Sequence, residues 1–517
     1  MRLRSLALSL ALTLPLAPGL GAEAARPAGC AGVVRGIDLD RATVLDLQRA
    51  MAARKVTSVE LVRTYLDRIK QYDQGPAKLN SIRALNPTAV KQAAALDKER
   101  RRGRVRGPLH GIPVLLKDNV GTKDLPTTAG SIALAGSVPK NDATITAKLR
   151  AAGAVILGKA NLSEFANWVD LDMPNGYSSL GGQVVNPYTE GDPSGSSSGS
   201  GVAAAMAFAA VTIGSETSGS ILSPSEANSV VGLKPTLGLT SRYGILPLAP
   251  GFDVAGPMTR NVTDAAAVID AIAGADPKDA VTNGAKSPGA LKALRRDALK
   301  GVRLGIPSAN NQPAGARGQL FDAAVAKLRA LGATIVETDV VPTAGLASIT
   351  EIGLIPNEFK WSLNEYLRTE ARPKTGVKTL SDIIAFNEKH PDKVKYGQDL
   401  LEASDATPGS GELATATALV VRTQAQQVID AALAKDDLDA IVDAGASNAN
   451  VGAAAGYPTV VTPMGYVNES APAGLAFTGT KLTEARLLAY AYAFEQSGRW
   501  RQRPTALNPD LRPRACR

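Results

Sequence analysis

The chain has 517 residues, of which 44% are hydrophobic and 20% charged, and its formal net charge is +9 at pH 7. This is an ordinary globular balance, and the length suffices to bury a large core. With two cysteines and two histidines, no Cys/His cluster has metal-ligand spacing, so neither a metal nor an organic cofactor is expected.

Residues 1–24 carry the pattern of a secretory signal. Arg2 and Arg4 form a basic start, Leu6 to Ala17 an apolar stretch too short to span a bilayer comfortably, and Ala22-Glu23-Ala24 a cleavage site. No other segment reads as membrane-spanning, so an exported, periplasmic or secreted protein is expected. Export permits a disulfide between Cys30 and Cys516; two free thiols fit the sequence equally well.

Residues 43–73 read as two helices. Thr57 and Glu60 make a capping-box pattern before an apolar face of Leu61, Val62, Tyr65, Leu66 and Ile69. The basic run Lys98, Arg100, Arg101, Arg102, Arg104 and Arg106 has no interleaved aromatics and reads as a solvated helix end, with no nucleic-acid partner implied. Short apolar runs at Ile112–Leu116, Ala154–Leu157, Ala209–Ile213 and Val302–Ile306 alternate with helical segments, which argues for an α/β sheet covered by helices. Residues 202–210 are a small-residue helix candidate, residues 345–412 a helical insert, and the end from Glu484 to Arg499 has helical periodicity.

Two Gly/Ser-rich loops, Gly191–Gly201 and Ser215–Ser220, bracket the small apolar stretch Val202–Gly214. Glycine lets backbone N–H groups approach a substrate, and a serine hydroxyl attacks a carbonyl once a base removes its proton. The base is the restricted element. His110 sits beside a turn-like stretch and His390 in a charged one, and structural roles suit both. Lys117, which ends the apolar run before Asp118-Asn119, loses its charge readily if buried. Position alone favours a strand-end lysine reaching for water. Lys123, Lys159 and Lys234 are alternative bases by type, although ordinary structural or surface roles suit them better, and Asp253 is a candidate supporting group.

Lys117-Asp118-Asn119, the loop around Ser196, Thr217-Ser218-Gly219-Ser220-Ile221, Gly232-Leu233-Lys234-Pro235-Thr236 and Gly256-Pro257-Met258 follow the order seen in the amidase signature family, which this chain resembles from about Leu39 to Pro504. The spacing suits the branch resembling peptide amidases. The resemblance implies one domain over residues 25–517, with a central mixed sheet covered by helices on both faces. It implies a Ser-cisSer-Lys triad of nucleophile Ser220, bridging Ser196 and base Lys117. Backbone N–H groups of Thr217, Ser218, Gly219 and Ser220 form the expected oxyanion hole. The chain departs from the family at Ser194 and Ser198, where glycines are common, at Ser218, and at Leu222, where arginine is common.

The expected reaction is hydrolysis of a small-molecule or peptide amide through an acyl-enzyme, with peptide C-terminal amides ahead of aryl or acyl amides and esters. A phosphate-binding module is the alternative of another class. It would need Gly-Lys-Ser/Thr at the helix start, where this chain has Gly199-Ser200-Gly201. A non-catalytic binding protein is the third reading. Oligomeric state is not legible.

Overall fold

The computed structural model describes residues 32–308, 312–338, 353–447 and 449–511. The expected signal at 1–24, both cysteines and residues 345–352 of the insert lie outside the described residues.

Strands β1 (Val33–Val34) and β2 (Ile37–Asp38) pair as a small antiparallel ribbon. The remaining strands are β3 (Ile82–Leu85), β4 (Pro113–Lys117), β5 (Val155–Ala160), β6 (Val211–Glu216), β7 (Val231–Lys234), β8 (Val254–Thr259), β9 (Arg303–Pro307), β10 (Thr334–Thr338), β11 (Ala440–Ala444), β12 (Thr459–Val467) and β13 (Ala471–Thr478). Among the described residues these form one 11-stranded sheet in the order β10-β9-β11-β13-β12-β7-β8-β6-β4-β5-β3. It is mixed: β4 runs parallel to β5 and β6, whereas β8 is antiparallel to β6 and β7. Every position of β4 to β8 is buried. Side chains alternate between faces, so burial at every position means helices cover both. The four apolar runs become β4, β5, β6 and β9, as expected.

The helix Ser58–Arg68 starts on the expected capping box, with the Thr57 side chain receiving the Glu60 N–H and the Glu60 carboxylate receiving that of Thr57. It ends at Arg68, however, and residues Ile69–Asp73 form a π-turn. The helix expected over 202–210 begins and ends earlier, at Ser198–Ala205. Arginines from three distant segments, Arg68 and Arg260 buried and Arg501 partly so, account for its end. Arg68 donates to the carbonyls of Met206 and Ala207, Arg260 to those of Ala204, Ala209 and Ala210, and Arg501 to that of Ala205. These carbonyls are satisfied without further helix, and the chain enters β6 at Val211. The C-terminal helix also stops short, at Glu495, where Trp500 stacks on Phe494.

The described part of the insert is helical, with helices Leu354–Thr369, Leu380–Glu388 and Asp399–Asp405. It has its own apolar contacts: Phe359, Leu363 and Leu380 join a buried cluster with Phe165 and Trp168. Among the described residues, no helix is long and apolar enough to cross a membrane.

Candidate active site

Neighbouring parallel strands end side by side, and here β4 ends in Lys117 while β6 runs into Glu216 and the turn Thr217–Ser220. The helix Ser198–Ala205 packs on both strands and brings the preceding serine loop between them. Lys117 is fully buried; its Nζ lies 2.8 Å from Ser196 Oγ and donates to the Ser215 carbonyl at 3.1 Å. Burial pushes its pKa down to about 7, against the opposing pull of the Asp253 and Glu216 carboxylates. The Gly195–Ser196 peptide is cis. The Ser197 N–H donates to the Ser220 carbonyl at 3.1 Å, which ties the two loops together. Ser196 is wholly buried, whereas Ser220 keeps 8% of its surface open.

The turn bearing Ser220 is held from beneath. Glu216 accepts the N–H groups of Ile221 at 2.7 Å and Leu222 at 2.9 Å. Gly219 has φ +80°, a left-handed conformation that favours glycine. Thr217 Oγ1 donates to Asp253 Oδ1 at 2.6 Å, and Asp253 Oδ2 accepts the N–H groups of Leu248 and Ala249. Asp253 thus supports the turn, as read from sequence. Sequence reasoning misses Glu216; the available signal is an acid directly before Thr-Ser-Gly-Ser.

The other candidates separate from this cluster. Ser197 Oγ donates to the Ser215 carbonyl and Ser198 Oγ to that of Ser194, as loop hydroxyls do. His110 is buried against the Leu96 carbonyl, and His390 stacks on Phe386. Lys123 is exposed beside Asp142, Lys159 is bound to Val120, Thr127 and Asp118, and Lys234 donates to the Pro235 carbonyl. Of the departures, Ser194 holds the left-handed conformation (φ 57°) that a glycine would adopt freely, fixed by an N–H bond to Asp192 Oδ1. Ser218 Oγ donates to Asn450 Oδ1, and Leu222 is buried.

A cleft of about 470 Å3 adjoins the site, lined by Ser215, Thr217 and Asp253 and, from the insert, by Trp361 and Tyr366.

The amidase family model matches residues 60–451. A probable amidase of Arabidopsis thaliana is 40% identical over 482 residues, 90% of this chain and 92% of that one. The peptide amidase of Stenotrophomonas maltophilia, a solved structure, is 42% identical with a TM-score of 0.83, covering 90% of this chain and 98% of that one. One chain of the glutamyl-tRNA(Gln) amidotransferase of Thermosynechococcus vestitus is 33% identical over 498 residues, 90% of this chain and 99% of that one. The chain belongs to the amidase signature family. It is an amidase, a hydrolase of amide C–N bonds, with the mixed sheet flanked by helices that this family shares.

Proposed function

We propose that this enzyme hydrolyses peptide C-terminal amides through an acyl-enzyme on Ser220. The observation that carries the chemistry is the 2.8 Å contact between Lys117 Nζ and Ser196 Oγ on a loop bonded to Ser220. Neutral Lys117 takes a proton from Ser196, and Ser196 takes one from Ser220. Ser220 Oγ bonds to the amide carbon, and N–H groups of Thr217, Ser218, Gly219 and Ser220 receive the negative oxygen. The C–N bond breaks as the relayed proton reaches the nitrogen, releasing ammonia. Water then cleaves the ester, returning Ser220 and freeing the acid. The preference for peptide amides draws support from the likeness to the S. maltophilia peptide amidase.

A mass-spectrometric panel of peptide amides, aryl amides, acyl amides and esters tests the substrate class. Peptide amides should show the highest kcat/KM, and a higher value for aryl amides would replace this reading. Ser220→Ala should nearly abolish turnover in a folded protein, and a serine-directed reagent should label Ser220; wild-type turnover, or labelling elsewhere, would remove it as nucleophile.

A further inference from the structure

Lys234 has so far no part in the chemistry, yet its placement relates it to the Ser220 turn. Strands β6 and β7 flank β8, and Thr212 and Gly232 both pair with Met258. Two residues along a strand return to the same face, so Lys234, Gly214 and Glu216 share a face of the sheet. Glycines leave room on it: Gly214 pairs with Gly256. This face also carries the serine turn and its helix. A Cβ at Gly214 would lie 3.0 Å from Ser197 Oγ and 3.1 Å from Ile221, and one at Gly232 would lie 2.3 Å from Ser225 Oγ.

Glu216 and Lys234 are both essentially without solvent contact. Glu216 spends one oxygen on the N–H groups of Ile221 and Leu222, while Oε1 accepts no hydrogen bond among the described residues. The only hydrogen bond of the Lys234 ammonium among the described residues is 3.1 Å to the Pro235 carbonyl. A buried carboxylate with an open oxygen and a buried lysine with spare donors each cost several kcal/mol if uncompensated.

We propose that Lys234 is a positioning residue for the amidase reaction: its charge keeps Glu216 an anion, that anion holds the Ser220 turn, and the same charge offsets part of the anion's pull on Lys117. The proposal rests on the Ser220–Ser196–Lys117 assignment. The charged groups around this chain of influence are few. Asp253 and Glu216 act electrostatically on Lys117, and Lys234 acts on Glu216 across the shared face without direct ion-pair contact among the described residues; Glu484, whose Oε1 receives the Thr236 N–H, also acts on Lys234. Asp253 faces Arg242 and is bonded to Thr217. Without the Lys234 charge, the Glu216 anion acts on Lys117 uncompensated and favours its protonated form. A proton on Glu216 would instead loosen the turn. Either way a higher pH is needed for activity.

The test is a pH–rate profile of the full-length enzyme. In Lys234→Met, kcat should fall about 10- to 100-fold with KM within about threefold of wild type. The acid limb should move up by about half a pH unit or more. Lys234→Arg keeps the charge and should return the limb to its wild-type position. A limb that stays in place or moves down in Lys234→Met, or one that Lys234→Arg fails to restore, overturns the proposal, whatever happens to kcat. If Lys234→Met does not fold, the double variant Glu216→Gln/Lys234→Met decides. A folded double supports mutual compensation, and a double that also fails overturns it. Labelling of wild-type Ser220 by a serine-directed reagent is read separately. Its absence would strike the catalytic assignment rather than the role of Lys234.

Discussion

Lys117 is the residue on which activity and stability pull in opposite directions. Its folded pKa of about 7 lies far below the 10.5 of a free lysine, because burial disfavours the ammonium. As a base it works only when neutral, so kcat/KM should rise with pH through about 7. Lys117→Ala should flatten that rise and lower the rate. Lys117→Arg should not rescue it, because a guanidinium stays protonated; an arginine variant with near wild-type activity would refute the proton path. The same shift costs stability. Between pH 7 and 10.5 the unfolded chain holds a proton that the folded one has given up, so this group's contribution to stability rises with pH across that window. At pH 7 the cost is roughly 4 kcal/mol. Lys117→Met should therefore melt above wild type at pH 7, with the gap closing toward pH 10.5. Calorimetry at the two pH values checks both the sign and the trend. Of this local picture, Lys117, Ser196 and Ser220 were readable as motif positions. The supports were harder to read, because Asp253 reaches Thr217 only through the pairing of β6 with β8, and Lys234 shares a face with Glu216 only through the pairing of β7 with β8.

The helix Ser198–Ala205 shows why elements were more legible at their centres than at their ends. The small residues marked a tightly packed helix, and that was right for Val202–Ala205. Its C-terminus depends on Arg68, Arg260 and Arg501, which no local pattern around residue 205 announces. Arg260 alone serves three carbonyls at 2.9–3.2 Å. Each buried carbonyl left unpaired costs about 1–3 kcal/mol. The Ala204 carbonyl keeps the Ala207 N–H, so Arg260→Met strips the guanidinium from those of Ala209 and Ala210 and should lower unfolding stability by about 2 kcal/mol or more, seen as a lower urea midpoint at unchanged slope. A loss below about 1 kcal/mol would mean that water or a neighbour replaces the guanidinium. The strands were easier to read. β4 and β5 lie inside the sheet and are apolar at most positions, as burial on both faces produces, whereas β6 was marked only by the apolar run at its start.

Across the whole molecule, strand ends of the sheet and the loops beside them carry the proposed reacting groups, and helices of the insert line the cleft together with Ser215, Thr217 and Asp253. Trp361 is exposed and Tyr366 buried, and both line it. Trp361→Ala should raise KM for large amides about tenfold while leaving kcat for a small one such as acetamide within about twofold. Equal losses on both substrates would place Trp361 in the reaction itself. The sequence marked the insert by its prolines and mixed charge but could not show which of its faces turns to the cleft. That is decided by Phe359 and Leu363 packing into the cluster with Phe165.

Beside that apolar packing, the insert is joined to the rest of the molecule by polar contacts, among them Lys140 N–H to the Glu370 carbonyl, Tyr243 to the Glu370 carboxylate and Arg372 N–H to Ser137. One wall of the cleft and the proposed reacting groups therefore come from different portions of the chain. Substitutions in the insert can reshape that wall without moving the strand ends that carry Lys117 and the Ser220 turn.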